Sequence, residues 1–255
     1  MNPAPDEAHG LGRRWLEAIR RDWDARARED PRAYINWPDV PNEEGAFFES
    51  GGVDYGRFVR PFLGRMKFDP RGKVAVEIGC GIGRIARYMA AEFEQYIGVD
   101  VSPEMISKAS AYHLPRAKFL VVSGGDLAPL ADACADFVFS FAVFQHVPDK
   151  DVIFNYFAET ARVLRPGGLF RLQMKGLWAL RLGSLAVEAG FSNRAWLTKA
   201  HLTKIPFVRV RHLDTWQGHS IRPAEAIRQC ELHGLEVLDT EGEWTTMMWI
   251  GGRKK

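Results

Sequence analysis

Three glycines and two carboxylates between residues 74 and 100 have the types and spacing of a nucleotide-binding site. Gly79, Gly81 and Gly83 form a GxGxG pattern directly after an apolar run. Glycine lets the backbone turn tightly and lets a ligand approach the chain closely. Many α/β proteins need such a turn for structural reasons alone, so the pattern gains weight only from the carboxylates beside it.

The two carboxylates, Glu77 and Asp100, indicate which class of nucleotide the site would bind. Asp100 ends the next predicted strand and faces the same crevice, where a carboxylate can accept hydrogen bonds from both hydroxyls of a ribose. Glu77 precedes the glycines, where a dinucleotide would place its pyrophosphate. Two like charges ~4 Å apart cost roughly 1–4 kcal/mol. A cationic ligand without phosphate, such as S-adenosylmethionine, is therefore favoured, unless Glu77 points into a polar structural network.

Alternating strand and helix patterns surround this loop and predict a parallel, doubly wound sheet. The predicted strands are Val74–Ile78, Tyr96–Val99, Phe119–Val122, Phe137–Phe141, Leu169–Met174, Leu235–Leu238 and Thr245–Ile250. The predicted helices between them are Ile82–Ala91, Pro103–Ala111 with Ser102 as N-cap, Asp149–Val163 and Pro223–His233.

Two segments depart from this alternation and divide the chain into three parts. Residues 1–71 are predicted to be a helical segment that covers the active site, with a helix over Leu11–Ala27, a short one ending at Gly51–Gly52 and another over Val53–Leu63. Residues 72–174 and 219–255 form the predicted core. Residues 175–218 are a predicted cap insertion between the fifth strand and the last helix.

Composition excludes several classes of protein. The chain has 255 residues and a formal charge of +2, with no polybasic run and no basic-aromatic stripe, so no nucleic-acid partner is expected. No apolar run has the length of a membrane helix, no signal peptide is evident, and a cytoplasmic location is expected. The three cysteines form no CxxC pair, and no metal is expected.

Four stretches resemble the class I S-adenosylmethionine-dependent methyltransferases, particularly the small-molecule branch. They are VEIGCGIGRIARYMA, YIGVDVSPEMISKA, GGDLAPLADACADFVFSFAVFQHVPD and RVLRPGGLFRL, in the order and spacing of that family. The resemblance implies a Rossmann-like α/β fold with a mostly parallel seven-stranded sheet and an antiparallel C-terminal strand. It also implies S-adenosyl-L-methionine as the cofactor and methyl transfer to an oxygen, nitrogen or carbon of a small molecule.

The resemblance assigns roles to individual residues of this chain. Glu77 and the loop Gly79–Gly83, including Gly81, would hold the methionine end, and Asp100 would bind the ribose. Around the adenine and the methionyl group it places Val101, Met105, Asp126, the backbone amide of Leu127, Ser140, Phe141 and Gln145.

His146, in FQHVPD just beyond the fourth strand, is the candidate general base, because an imidazole titrates near neutral pH. A structural or substrate-orienting role for His146 is the favoured alternative. Tyr34, Trp37, Phe47 and Phe48 could line an acceptor pocket, although packing onto the core is favoured for most of them.

The insertion carries an excess of Arg and Lys, which could bind an acidic acceptor but is more typical of solvated helix faces. Its apolar first half could cap the site or form a homodimer contact.

Two other functions stay open at this point. One is a nicotinamide-dependent oxidoreductase, against which GxGxG and Glu77 argue, and the other is a non-catalytic protein of the same fold that binds S-adenosylmethionine.

Overall fold

A computed structural model describes residues 5–176, 218–243 and 245–255, with side chains from residue 15 onward. Within these residues seven strands form one sheet in the order β3-β2-β1-β4-β5-β7-β6. The strands are β1 Val74–Ile78, β2 Gln95–Asp100, β3 Ala117–Val121, β4 Ala135–Ser140, β5 Leu164–Met174, β6 Leu235–Glu241 and β7 Met248–Lys254. Strands β1 to β5 pair in parallel, and β7 runs antiparallel to both β5 and β6. The predicted fold class is confirmed.

Eight α-helices are found in the described residues. They are α1 Pro5–Glu29, α2 Pro31–Ile35, α3 Glu44–Asp54, α4 Arg60–Arg65, α5 Ala86–Glu92, α6 Pro103–Ser110, α7 Lys150–Val163 and α8 Pro223–Leu232. None of the helices in these residues is long and apolar enough to span a membrane. The predicted N-cap of α6 is confirmed, because Ser102 Oγ accepts from Met105 N. At α7 the N-cap is Asp149, whose side chain accepts from Asp151 N, so this helix begins one residue later than predicted.

The core lies on both faces of the sheet because its central strands are buried on both sides. One face holds Val76, Val138 and Leu172 under α7 and α8. The other holds Phe137, Phe139 and Trp249 under α4 and α5. All seven strands fall within the ranges predicted for the core.

The prediction that a helix ends at Gly51–Gly52 was wrong. Helix α3 continues through both glycines to Asp54, and a π-helical turn, Tyr55–Val59, joins it to α4. Neither glycine has a positive φ. Gly51 instead permits close packing, since a Cβ there would lie 2.0 Å from the carbonyl oxygen of Arg84.

The helix predicted over Ile82–Ala91 begins later, at Ala86. Gly81 and Gly83 hold φ values of +53° and +83°, so the backbone before Ala86 turns instead of entering the helix.

The predicted cap insertion lies mostly outside the described residues, and so does the predicted dimer contact. The two ends of the insertion, at Gly176 and Gly218, lie within the described residues. Gly176 N donates to Thr245 O, while Gly218 N donates to the carbonyl of Gln145 at 2.6 Å. The chain therefore leaves the sheet and returns to it at the carboxyl edge of the parallel strands.

Candidate active site

The glycine loop between β1 and α5 folds over the carboxyl end of β2. The amides of Gly79 and Cys80 both donate to the carbonyl of Val99, at 2.7 and 3.0 Å. A Cβ on Gly79 would lie 2.1 Å from a methyl carbon of Val143, so glycine is what lets the segment after β4 cross this loop closely. The carboxyl ends of β1, β2 and β4 thus meet at one crevice.

Glu77 lies beneath the loop with only 4% of its surface exposed. Its Oε2 accepts a hydrogen bond of 2.5 Å from the hydroxyl of Tyr96, which is itself fully buried. Burial raises the pKa of Glu77 to about 7, although the Tyr96 hydrogen bond and the charge of Arg84 lower it and Asp100 adds to the rise. Glu77 therefore does enter a polar network, and a cation beside it would favour its ionised form.

Asp100 closes the crevice from β2. Its two carboxylate oxygens accept from Gly81 N and Ser102 N, both at 2.9 Å. Burial raises its pKa to about 6 despite these two hydrogen bonds. Since each carboxylate oxygen has two acceptor positions, the group can still accept hydrogen bonds from a ligand hydroxyl.

Helix α1 lies across this edge of the sheet. Asp24 Oδ1 accepts from the Ser102 hydroxyl at 2.5 Å and from Glu104 N at 3.3 Å, so it joins α1 to the start of α6. Leu16 contacts the segment after β3, within 3.6 Å of a Cβ built on Gly124. The sequence patterns gave no sign of Asp24, because its partners Ser102 and Glu104 are 78 and 80 positions away.

His146 lies after β4, in a 3₁₀ turn formed by Phe144–His146. The edge of its ring meets Trp23 of α1, with 5.4 Å between ring centroids. Its Nε2 lies 3.2 Å from Nε2 of Gln145, so with the amide in this orientation the imidazole nitrogen is the acceptor. His146 and Gln145 thus lie between the sheet edge and α1. The amide of His219 donates to the carbonyl of Val147 beside them.

The predicted adenine residues surround the ends of β2 and β3. Val101 contacts Gly124, and Met105 is buried among Ala27, Phe47 and Ile82. The carboxylate of Asp126 accepts from Ala128 N.

The backbone amide of Leu127 already donates to Glu159 Oε2 at 2.8 Å, so an adenine contact through that amide would compete with this bond. Sequence patterns did not identify Glu159, because its partner is 32 positions away.

The residues at the end of β4 lie under the loop. Ser140 is fully buried, and its hydroxyl donates to the carbonyl of Ile78 at 3.2 Å. Phe141 stacks on Trp249, with 5.4 Å between centroids, and also contacts Phe58. This aromatic cluster is packed as core.

The four aromatic residues of the N-terminal segment have different surroundings. Phe47 and Phe48 are buried in the core cluster, which confirms the packing interpretation for both. Trp37 is half-buried, contacts Phe141, and donates from Nε1 to Asp54 at 2.9 Å. The Tyr34 hydroxyl donates to Glu29.

Comparison with known proteins identifies a domain in the central part of the chain. A family profile described as "Methyltransferase domain" matches residues 76–172, which include the glycine loop, Asp100 and His146. Residues 76–172 of this chain form a methyltransferase domain.

Individual relatives match the methyltransferase domain and part of its surroundings. The chain is 29% identical over 181 residues to trans-aconitate 2-methyltransferase of Azoarcus sp. (strain BH72), covering 63% of this chain and 66% of the relative. It is 36% identical over 95 residues to malonyl-[acyl-carrier protein] O-methyltransferase of Hahella chejuensis, covering 36% of this chain and 33% of the relative. The chain thus spans just under two thirds of the first relative and about a third of the second.

A solved structure with the same fold covers nearly all of the chain. The magnesium protoporphyrin IX methyltransferase of Synechocystis PCC 6803, with bound SAH, superposes with a TM-score of 0.63 over 93% of this chain and 98% of that one. The two are 14% identical, so this likeness shows the fold alone.

The residues of the methyltransferase domain fit the cofactor of its family. Glu77 offers a buried carboxylate to a cation, and Asp100 offers acceptors to a ribose, both beside glycines with positive φ. In the part of the chain that the structure describes, no three His, Cys, Asp or Glu side chains gather as they would to hold a metal ion.

Proposed function

We propose that this protein is an enzyme that transfers a methyl group from S-adenosylmethionine to an oxygen, nitrogen or carbon of a small-molecule acceptor. The observation that carries the proposal is the pair of carboxylates flanking the glycine loop, Glu77 under it and Asp100 on the neighbouring strand. A pyrophosphate over this loop would be repelled by both, whereas a cationic nucleoside is attracted.

The sulfonium of the bound cofactor supplies the methyl group and the driving force for its transfer. Glu77 would bind the ammonium of the methionine moiety, and Asp100 would accept hydrogen bonds from the ribose hydroxyls. Val101, Met105, Asp126 and Leu127 would surround the adenine. Ser140 and Phe141 would border the methionyl group, with Gln145 beside them.

The acceptor would bind between the ends of β1 and β4 and the N-terminal segment. The rings of Trp23 and His146 contact one another there and would shield the acceptor from bulk water. Holding the acceptor in line with the methyl group is the main task of the protein, because positioning can lower a barrier by roughly 7–11 kcal/mol. His146 would orient the acceptor, or accept its proton if the acceptor arrives as a hydroxyl.

The names of the relatives support a small-molecule acceptor but not one particular compound. They include trans-aconitate 2-methyltransferase and a tocopherol O-methyltransferase of Arabidopsis thaliana. An acidic acceptor, dimerisation through the insertion and a cytoplasmic location stay predictions from the sequence.

The first test is a calorimetric titration of the full chain with S-adenosylhomocysteine, with NADPH as the control ligand. We expect binding of the first and none of the second. Binding of NADPH alone would favour the oxidoreductase and overturn the proposal. A panel of carboxylate, phenol and amine acceptors with radiolabelled methyl donor then tests turnover, and comparison of acids with their neutral amides tests the acidic acceptor.

A further inference from the structure

Two buried hydrogen-bond donors lack partners close to the glycine loop. They are Nε of Arg84 and Nδ2 of Asn36, and neither atom has a hydrogen-bond partner among the described residues. Buried donors without a partner are rare in folded proteins and call for an explanation, such as a ligand. Arg84 is only 5% exposed, so its Nε is well shielded from bulk solvent.

The two donors belong to one network, centred on Ser50 of α3. The Ser50 hydroxyl lies 3.0 Å from Asn36 Oδ1 and accepts from Arg84 Nη1 at 3.1 Å. Arg84 Nη1 also donates to Asp54 at 2.6 Å, and the same carboxylate oxygen accepts from Trp37 Nε1. Asp54 therefore holds one edge of the guanidinium and leaves Nε to a different acceptor.

The network borders the part of the crevice assigned to the methionine end. Ile35, the neighbour of Asn36, would lie 2.7 Å from a Cβ built on Gly81. The guanidinium carbon of Arg84 lies 6.0 Å from the ring centroid of Phe141. Arg84 is also close enough to Glu77 to lower its pKa.

A methionine moiety carries an ammonium and a carboxylate, and these groups need partners of opposite kinds. Glu77 can serve the ammonium but would repel the carboxylate. A carboxylate only accepts hydrogen bonds, so it matches two donors, one of them on a guanidinium. We propose that Arg84 Nε and Asn36 Nδ2 bind the carboxylate of the cofactor's methionine moiety. This inference rests on the proposed function. It adds Arg84 and Asn36, which do not lie at the ends of strands, to the proposed cofactor site.

The test compares three ligands by calorimetry: S-adenosylhomocysteine, its decarboxylated analogue, which keeps the amine, and 5′-methylthioadenosine. The variant Arg84→Lys keeps a cation for Asp54 and removes the Nε donor. The variant Asn36→Asp keeps the oxygen that accepts from Trp37 N and replaces the free donor by an acceptor. Arg165→Lys is the matched control, because Arg165 pairs with Asp136 at the opposite edge of the sheet.

We expect either variant to weaken S-adenosylhomocysteine binding by about tenfold or more, as the loss of a charge-assisted hydrogen bond would. Binding of the decarboxylated analogue and of 5′-methylthioadenosine should stay within about twofold of the unmodified protein, a margin that is small against that loss. The control variant should match the unmodified protein for all three ligands.

Two results would overturn the assignment while leaving the proposed function intact. One is unchanged S-adenosylhomocysteine affinity in both variants, and the other is an equal loss for all three ligands, which would indicate a structural role. If the unmodified protein binds none of the three, the proposed function fails, and the carboxylate site fails with it.

Discussion

The hydroxyl of Tyr96 donates a 2.5 Å hydrogen bond to the Glu77 carboxylate, and both side chains are buried on adjacent strands. The pair places an acid of unusually high pKa directly beneath the glycine loop. Burial is the main cause, because it disfavours the charged form. This carboxylate therefore responds to pH in the range where the protein would bind its cofactor.

Cofactor affinity should rise with pH up to about neutrality. In the ligand-free protein the pKa of Glu77 is about 7, and an ammonium beside it would favour the ionised form. Binding then releases a proton, so the affinity for S-adenosylhomocysteine should improve between about pH 5.5 and pH 7.5 and level off above that. Calorimetry in buffers of different ionisation enthalpy measures the proton release directly.

The variant Glu77→Gln is the control for this prediction. Gln keeps an oxygen for the Tyr96 hydroxyl but cannot ionise, so it should bind more weakly and with less pH dependence. An unmodified protein whose affinity is flat over the same range would contradict the assignment of Glu77 to the ammonium.

Stability of the ligand-free protein should respond to pH in the opposite direction. The pKa of Glu77 is about 7 in the folded state and 4.5 in its ordinary state, so the folded state holds the proton more tightly. This contribution is fully present below the ordinary pKa and is lost as pH rises through 7. The loss amounts to about 3 kcal/mol for this one group.

Urea unfolding of the unmodified protein and of Glu77→Gln, at about pH 5 and about pH 8, measures this contribution. It equals the difference in the free energy of unfolding between the two proteins at each pH. We expect the stability of the unmodified protein relative to the variant to fall between the two pH values. A constant difference would mean that the pKa of Glu77 is close to its ordinary value.

Asp100→Ala should reduce cofactor affinity by at least about tenfold, because it removes the acceptors for the ribose hydroxyls. The amides of Gly81 and Ser102 also lose their acceptor, so we expect a loss of about 1–3 kcal/mol in unfolding free energy without loss of the fold. Calorimetry gives the first quantity and urea unfolding the second. Unchanged binding in a folded variant would rule out the ribose assignment.

The sequence predicted the sheet and the position of the crevice well, because both follow from local patterns. The strand Val74–Ile78 has the predicted bounds, since an apolar run ended by glycines leaves little choice of strand limits. The positions of Glu77 and Asp100 beside the glycine loop follow for the same reason, because each lies at the end of a strand that the pattern defines.

Side-chain pairs distant in sequence could not be predicted in this way. Arg84 meets Asp54 across 30 positions, and Ser102 meets Asp24 across 78. No periodicity links such residues, because their contact depends on how the N-terminal helices pack on the sheet edge. Gly51 was misinterpreted for a related reason, since its role is close packing against Arg84 and not termination of a helix.

His146→Ala should slow methyl transfer while leaving S-adenosylhomocysteine affinity close to that of the unmodified protein. His146 contacts Trp23 of α1 and would face the acceptor, whereas the predicted cofactor contacts come from β1, β2, the loop after β3 and the segment from Ser140 to Gln145. The size of the effect separates the two roles of His146. A general base contributes about 10²–10⁴ in rate, and its loss removes the acidic limb of the pH–rate profile.

An orienting residue would instead raise the KM for the acceptor and leave the shape of that profile unchanged. His146→Gln is the informative second variant, because glutamine can keep a hydrogen bond to the acceptor but cannot take its proton at neutral pH. Rescue by Gln of a defect seen with Ala would assign orientation, and equal loss in both variants together with a changed profile would assign the base. Full activity in the Ala variant would exclude His146 from the reaction.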